Sequence, residues 1–147
     1  MTNVSSPRPD GADAALRPIV EREGVHVVHV WAPWCDNSLH ELAPVWAEDV
    51  DADSVTFVTV WNDGASGADV LRRHGVDVAD SAVDEIIVPG PRPEKAERRL
   101  TLLGLPVTWI PTTWVFNRGG LLAYAFNYGE VTADQLALAV ADARRGW

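Results

Sequence analysis

Residues 25–38, VHVVHVWAPWCDNS, decide the fold of this chain. The part 25–31 is dominated by β-branched side chains, which predicts a strand. Because this run is nearly continuously apolar rather than alternating, we expect the strand to be covered on both faces. The following residues, 36–49, carry leucine, tryptophan and proline in a pattern that predicts a helix bent at Pro44. Cys35 therefore follows a strand and stands at the start of a helix.

The position of Cys35 predicts a reactive thiol. The first turn of a helix leaves backbone N–H groups unpaired, and with the helix dipole they favour a negative charge. A thiol at this place is stabilised as its thiolate and reacts near neutral pH. The carboxylate of Asp36 opposes this effect, because it lies beside the same sulfur. The alternative is an inert cysteine that packs as a small hydrophobic residue, but the neighbouring Trp31 and Trp34 and the strand-to-helix position favour the reactive thiol.

The remaining elements alternate between strands and helices. Apolar spacing and β-branched runs predict helix 13–23, strand 54–61, helix 65–74, strand 85–88, strands 112–117 and 121–126, and a final helix. Pro93 at the start and Gly104 at the end predict a further helix over residues 93–104. Thr132 and Gln135 have the spacing of a capping box at the start of that final helix. This order predicts an α/β fold with a central mixed β-sheet and helices on both faces.

Length and composition indicate a single domain. The chain has 147 residues, of which 47% are apolar, and this is enough to build one hydrophobic core. Residues 1–12 are rich in proline, serine and aspartate, so we expect a flexible tail there. The domain itself is then expected to cover residues 13–147.

Charge and hydropathy exclude some classes of function. The formal net charge of −9 disfavours nucleic acid, which needs a basic surface. No run approaches the ~20 apolar residues that span a bilayer, so we expect no membrane span in the chain. Residues 1–15 carry prolines and aspartates where a secretion signal has an apolar segment. We therefore expect a cytoplasmic protein; the alternative is an exported one, if the natural chain is longer.

Cysteine count limits the chemistry further. Cys35 is the only cysteine, which excludes an internal disulfide and a multi-cysteine zinc site. Its spacing to His40 is poor for a metal ligand pair. We expect neither a metal nor a cofactor.

Two separate segments resemble the thioredoxin family. Residues 31–35 match the first five positions of its pattern W-A-x-W-C-x-x-C after an apolar strand, and Pro44 lies one residue beyond the usual place of the helix proline. Residues 110–120, IPTTWVFNRGG, resemble the family's cis-proline loop, strand and turn, and Gly129 falls where the family has a glycine. An extra strand and helix before residue 104 make the chain more similar to the TlpA-like group. The resemblance implies a thioredoxin fold with a strand–helix insertion before the cis-proline loop.

Ser38 stands where the resemblance expects the second cysteine. In a dithiol enzyme that cysteine releases the mixed disulfide formed by the first thiolate. A serine hydroxyl cannot do so at neutral pH, although it can donate a hydrogen bond to the Cys35 thiolate. The resemblance therefore implies a monothiol protein with a CxxS motif, which forms mixed disulfides with protein or low-molecular-weight thiols and is released by an external thiol. Whether such a chain is an enzyme, a thiol–disulfide oxidoreductase, stays open.

Two further departures agree with a missing resolving cysteine. His29 takes the place of a buried carboxylate that helps to deprotonate that cysteine in the family, and Thr59 takes the place of the lysine that accompanies the carboxylate. We interpret His29 as a packed histidine that backbone groups satisfy. The alternative is a proton acceptor for Cys35.

The resemblance also implies a substrate groove beside the thiol. A cis-proline at Pro111 leaves the backbone of Ile110 free to pair with an extended substrate. Trp31 and Trp34 add aromatic contacts, while Trp109 replaces a usual glycine and is expected to narrow the groove. This aromatic patch supports the competing hypothesis, a redox-inactive thioredoxin-fold binding or chaperone-like module.

Overall fold

The apolar run at residues 25–31 forms the central strand of a sheet. A computed structural model describes residues 9–35, 51–78, 82–127 and 131–145. Strand β1 (His26–Trp31) pairs in parallel with β2 (Ser54–Val60), which pairs in parallel with β3 (Val83–Val88) at the edge of the sheet. All six β1 residues are buried. This burial agrees with a continuously apolar strand that is covered on both faces.

The insertion between β3 and the cis-proline loop differs from the prediction. A helix was expected over residues 93–104, and that expectation is wrong. Residues Lys95–Glu97 form a single 3-10 turn. Beyond it, β4 (Leu100–Leu102) and β5 (Leu105–Val107) pair as an antiparallel hairpin. The insertion is therefore a strand followed by a hairpin, not a strand followed by a helix.

Turn geometry and packing explain the hairpin. Leu103 and Gly104 have positive φ angles of 54° and 75°, which suit a two-residue hairpin turn. The backbone N–H of Leu103 donates a 2.8 Å hydrogen bond to Asp13 Oδ1, so the turn is held by another part of the chain. Leu102 and Val107 are fully buried. The contact with Asp13 is distant in sequence, so it leaves no local pattern in this segment. The early proline and late glycine therefore suggested a helix that does not form.

Two antiparallel strands complete the main sheet. Strand β6 (Thr112–Asn117) pairs with β1, and β7 (Leu121–Phe126) pairs with β6 after a turn at residues 118–120. The strand order is β3-β2-β1-β6-β7. The bounds of β6 and β7 agree with the predicted strands, and the predicted mixed sheet is confirmed.

Helices pack against both faces of this sheet. The α-helices within the described ranges are α1 (Pro9–Val20), α2 (Gly67–Arg73) and α3 (Ala133–Arg144). Leu16 of α1 lies in one buried apolar cluster with Val28, while Leu71 of α2 and Leu136 of α3 lie in another with Val27. Val27 and Val28 fall in different clusters because successive side chains of a strand point to opposite faces. The predicted arrangement of helices on both faces is therefore confirmed.

The starts of two helices can be compared with the sequence predictions. Helix α1 begins at Pro9, earlier than the predicted start at Asp13, so that residues 9–12 are helical. Thr132 and Gln135 form the predicted capping box: the Thr132 hydroxyl accepts from the Gln135 N–H at 3.1 Å, and the Gln135 side chain accepts from the Thr132 N–H at 3.0 Å. The capping prediction is confirmed.

Some predicted features lie outside the described residues. These are the tail residues 1–8, the helix 36–49 with Pro44, and Gly129. The division of the chain into a tail and a domain beginning at residue 13 stays a prediction. Among the described residues, no helix combines the length and the apolar character needed to cross a bilayer.

Candidate functional site

Cys35 lies in the loop that follows β1. The chain turns sharply there, because the backbone N–H of Cys35 donates a 2.9 Å hydrogen bond to the carbonyl oxygen of Ala32. The Cys35 side chain is a free thiol and is partly exposed. It forms part of the wall of a cavity of about 260 Å³. The only thiol of the chain is therefore accessible from a defined cavity.

Four of the described segments line this cavity. One lies after β1, one after β2, one is the 3-10 turn of the insertion, and one lies immediately before β6. Because β1 and β2 are parallel, their carboxyl ends meet at the same edge of the sheet. The described residues that line the cavity are Trp34, Cys35, Trp61, Lys95, Arg98, Thr108, Trp109 and Ile110.

Trp34 connects three of these segments. Its indole Nε1 donates a 2.8 Å hydrogen bond to the carbonyl oxygen of Trp61. The guanidinium carbons of Arg92 and Arg98 lie 4.0 and 4.8 Å from the centre of the Trp34 ring. Cations at this distance are attracted by the negative face of an indole. Two positively charged groups therefore lie against the ring of the residue that precedes Cys35.

Hydrogen bonds fix the segment that brings these arginines to the cavity. The N–H of Asp63 donates to the carbonyl oxygen of Gly90 at 3.0 Å, and the N–H of Arg92 donates to Asp63 Oδ1 at 2.7 Å. Asn62 Oδ1 accepts from the N–H of Gly90 at 3.3 Å. The loop after β2 and the loop after β3 are thus tied together. Arg98 is oriented separately, because its Nε donates to the carbonyl oxygen of Pro93 at 2.9 Å.

The loop before β6 forms the opposite wall. The Ile110–Pro111 peptide bond is cis. Ile110 is partly exposed and lines the cavity, whereas Pro111 is buried. Trp109 also lines the cavity, yet its side chain is 51% exposed. Its carbonyl oxygen accepts a 2.5 Å hydrogen bond from the Thr112 hydroxyl, which holds the loop against the start of β6. The exposed ring borders the cavity rather than sealing it.

His29 is buried in the sheet and does not line the cavity. Its Nδ1 lies 2.9 Å from the Thr113 hydroxyl on β6, and its ring packs edge-on against Phe57 with ring centres 5.7 Å apart. This environment supports the interpretation as a packed histidine. The contact with Thr113 is made by a side chain, whereas the sequence led us to expect backbone partners for His29.

Other predicted site residues have different outcomes. Trp31 is completely buried in the core, edge-on to Phe57, and is not among the cavity residues. Its expected role in contacting substrate is therefore wrong. Ser38 lies outside the described residues. Thr59 is buried, and its hydroxyl donates a 2.5 Å hydrogen bond to Glu85 Oε2. This bond links the side chains of β2 and β3.

Sequence reasoning missed the walls contributed by Trp61, Lys95, Arg98 and Thr108. One signal for them was present: residues 92–99 hold four of the twelve Lys and Arg residues of an otherwise acidic chain. This clustering was hidden by the assignment of a helix to the same segment. Nothing local in the sequence relates Trp61 to Cys35.

Comparison with known proteins shows the fold. No protein-family model matches the chain, and no curated protein sequence matches it. Its structure is similar to a DsbF homologue from Corynebacterium diphtheriae, with 23% identity, 83% of this chain and 73% of that chain covered, and a TM-score of 0.54. A Neisseria meningitidis protein assigned as a thioredoxin matches with 16% identity, coverage of 87% and 79%, and a TM-score of 0.56. The chain has the thioredoxin fold, as the sequence resemblance implied.

A third similar structure corrects the expected location. It is a secreted disulfide oxidoreductase of Mycobacterium tuberculosis, homologous to Escherichia coli DsbE, with 13% identity, coverage of 84% and 85%, and a TM-score of 0.52. Similarity to a secreted protein overturns the expectation that this chain is cytoplasmic. That expectation rested on the composition of residues 1–15, which does not decide the location of the protein.

Proposed function

We propose that this thioredoxin-fold chain takes part in thiol–disulfide exchange through Cys35. The observation that carries the proposal is the partly exposed Cys35 thiol in the wall of a cavity bordered by the Ile110–Pro111 loop. The fold alone does not imply an activity, because one fold supports many functions. A free thiol at an accessible cavity supplies the chemistry that the proposal needs.

The proposed cycle has two exchange steps, attack by Cys35 and release by an external thiol. The Cys35 thiolate attacks one sulfur of a disulfide, a new sulfur–sulfur bond forms to Cys35, and the old bond breaks. The other half leaves as a thiolate and takes a proton from water. An external thiol then attacks the mixed disulfide as its own thiolate, forms a disulfide with the bound half, and restores Cys35. No net oxidation of the protein remains after one cycle.

A monothiol cycle is part of the proposal. Cys35 is the only cysteine of the chain, and Ser38 stands where a resolving cysteine would be needed. A hydroxyl cannot displace Cys35 from a mixed disulfide at neutral pH. Release by an outside thiol follows from this, with Ser38 positioned in the sequence to donate a hydrogen bond to the Cys35 sulfur.

A binding module without redox chemistry is the second candidate. It is favoured by the aromatic walls of the cavity, where Trp34, Trp61 and Trp109 lie together and Trp109 is 51% exposed. Exposed aromatic side chains are common anchors in protein interfaces. In that case Cys35 is a wall residue only, and its replacement leaves partner binding intact.

We further propose that the exchange takes place outside the cytoplasm. Disulfides persist in oxidising compartments, and the secreted M. tuberculosis oxidoreductase has the same fold. Fractionation of cells that produce the natural protein tests this location. Recovery in the cytosolic fraction alone contradicts it.

Intact mass spectrometry after exposure to glutathione disulfide tests the exchange. We expect a gain of one glutathionyl group, located on Cys35 by peptide mapping and reversed by an external thiol. Cys35→Ser is the matched control and stays unmodified. If the native thiol stays unmodified while denatured protein reacts, the cavity does not admit a disulfide and the binding module is favoured.

A further inference from the structure

Positive charge is concentrated at the cavity beside Cys35. Lys95 and Arg98 line it, and Arg92 lies against Trp34, another wall residue. Arg92, Lys95 and Arg98 together form a cationic rim. Because the whole chain has a formal net charge of −9, the rim reverses the sign of the charge locally. We propose that this cavity selects small disulfides that carry a negative charge; the inference rests on the proposed exchange and names its substrate class.

Among the described residues, the cationic rim has no acidic partner of the kind that some other arginines have. Arg72 pairs with Asp69 at 3.1 Å, and Arg144 pairs with Asp53 at 3.2 Å. In the described part of the chain, no carboxylate oxygen lies within 4.0 Å of a side-chain nitrogen of the rim. Charges that are not neutralised within the protein are available to attract an anion.

The described walls of the cavity contain no acidic residue. Glu94 and Glu97 belong to the same segment as Lys95, but they are exposed and do not line the cavity. The carboxylate of Asp63 accepts from the backbone N–H of Arg92 and so anchors the rim. Asp36 is next to Cys35 in the sequence and lies outside the described residues. A negative substituent entering the cavity therefore meets cations and aromatic rings.

Two members of the rim share one aromatic ring. The guanidinium carbons of Arg92 and Arg98 lie 4.0 and 4.8 Å from the centre of the Trp34 ring. The ring attracts each cation, but the two like charges repel one another. A negative group bound beside this ring is attracted by both charges and offsets part of their repulsion. Trp34, Cys35 and Arg98 line the same cavity, so an anion bound at the rim shares that cavity with the reacting thiol.

The size and the lining of the cavity favour a small disulfide. Its volume of about 260 Å³ lies below the roughly 300–1,000 Å³ of pockets that enclose drug-sized ligands. It therefore accommodates one half of a small disulfide. Trp61, Trp109 and Ile110 provide apolar surface for methylene groups, and the rim provides a place for a carboxylate, sulfonate or phosphate. On attack, this half becomes bonded to Cys35 and the other half leaves as a thiolate.

A comparison of three symmetric disulfides tests the selection. The probes are dithiodipropionate (anionic), bis(2-hydroxyethyl) disulfide (neutral) and cystamine (cationic), and the readout is the rate of mixed-disulfide formation at Cys35 by intact mass. We expect the anionic probe to react about fivefold faster than the neutral one and the cationic probe to be slowest. Raising the salt from ~0.02 to ~0.5 M should reduce the difference, because salt screens charges.

Variants assign the selection to the rim. In Lys95→Gln and Arg98→Gln, the ratio of anionic to neutral rates should fall towards one. Arg99→Gln is the matched control, since Arg99 is exposed on the same segment, donates to the carbonyl oxygen of Ala96 and does not line the cavity; its ratio should equal that of the wild type. Each variant is first shown to be folded by circular dichroism, because an unfolded chain has no cavity and would also give a ratio near one.

The outcomes separate this inference from the proposed function. If no probe reacts with Cys35, the proposed exchange fails. If all probes react equally, the exchange stands and the anionic selection is overturned. If Lys95→Gln and Arg98→Gln keep a wild-type ratio above one, the exchange stands and the assignment of the selection to the cationic rim is overturned. If an acidic peptide disulfide reacts much faster than dithiodipropionate, the substrate is a peptide and the assignment to small disulfides is overturned.

Discussion

The indole Nε1 of Trp34 donates a 2.8 Å hydrogen bond to the backbone carbonyl of Trp61, a residue 27 positions further along the chain. The bond joins the loop that carries Cys35 to the carboxyl end of β2. Both rings line the same cavity, and the Trp34 ring supports the arginines of the cationic rim. This hydrogen bond therefore fixes the ring that lies between the loop of Cys35, the wall residue Trp61 and the arginines of the rim.

Replacement of Trp34 by phenylalanine should weaken this arrangement. The substitution keeps an aromatic ring but removes the donor to the Trp61 carbonyl, so the free energy of unfolding should fall by about 1 kcal/mol. The anionic-to-neutral rate ratio at Cys35 should fall as well, because indole attracts cations better than a phenyl ring. Denaturant unfolding and the mass assay measure the two effects. Trp109→Phe, an exposed ring with no hydrogen bond recorded for its indole among the described residues, is the control and should change the unfolding free energy by less than ~0.5 kcal/mol.

The pair of His29 and Thr113 gives a test of the two interpretations of His29. Thr113→Val removes the hydroxyl that lies 2.9 Å from His29 Nδ1 in the buried sheet. Loss of a buried hydrogen-bond partner should lower the free energy of unfolding by about 1–3 kcal/mol. If His29 is only a packed residue, the rate of exchange at Cys35 in the folded protein should stay at the wild-type value.

His29→Asn completes that test, since it removes the imidazole base and keeps a polar side chain. A packed histidine predicts a loss of stability with an unchanged exchange rate at neutral pH. An exchange rate that falls at least tenfold, in protein shown to be folded by circular dichroism, would instead identify His29 as a proton acceptor for the thiol.

Much of the fold was predictable because its signals are local. Strands β6 and β7 were predicted with the bounds that the structure shows, since each is a short β-branched or aromatic run beside a glycine turn. The capping box at Thr132 depends only on residues three apart in sequence. The hairpin β4–β5 was missed because its stability comes from distant contacts, such as the bond from Leu103 to Asp13 in α1.

In the candidate site, too, residues within local motifs were predicted and residues brought in from distant segments were not. Trp34, Cys35, Trp109 and Ile110 were found because they stand within two short motifs of neighbouring residues. Trp31 was misplaced, since a motif shows which residues are adjacent but not which face of the strand each side chain occupies. Lys95 and Arg98 reach the cavity only through the path of the insertion, which no spacing in the sequence describes.

Asp53 predicts how stability depends on pH at the opposite end of β1. The Val25 N–H, which donates a 2.8 Å hydrogen bond to Asp53 Oδ2, is the main cause that lowers the pKa of this carboxyl below its ordinary value of 3.8, and Arg144 adds to the effect. The stabilisation is therefore complete above the pKa of the unfolded chain and is lost as the pH falls through the lower pKa of the folded protein. Asp53→Asn should reduce the unfolding free energy by less than ~1 kcal/mol at pH 7, because the group is partly exposed to solvent. This difference should vanish at acidic pH.

Unfolding by urea at pH 7 and near pH 2.5 measures this difference for the wild type and the variant. Asp69→Asn, in an exposed ion pair with Arg72, is the matched control and should show a smaller change at pH 7. A difference between wild type and Asp53→Asn that persists undiminished at the acidic pH would assign the effect to packing rather than to the charge of Asp53.

Replacement of Ser38 by cysteine tests the monothiol cycle most directly. The substitution completes the pattern Cys-x-x-Cys, whose second thiolate can attack the mixed disulfide on Cys35, form an internal disulfide and expel the bound half as a thiol. After exposure to glutathione disulfide, Ser38→Cys should therefore lose the glutathionyl group without an added thiol, with a mass two hydrogens below that of the reduced variant. The wild type should keep the group until an external thiol is supplied, and Ser38→Ala, which cannot form the disulfide, should keep it as well.

A wild-type mixed disulfide that clears at the rate of the Ser38→Cys variant would show that release does not need a second cysteine, and the proposed role of the external thiol would be lost. If the wild type retains the group and the cysteine variant releases it, then the absence of a resolving thiol at position 38 is what makes the native chain dependent on an outside partner.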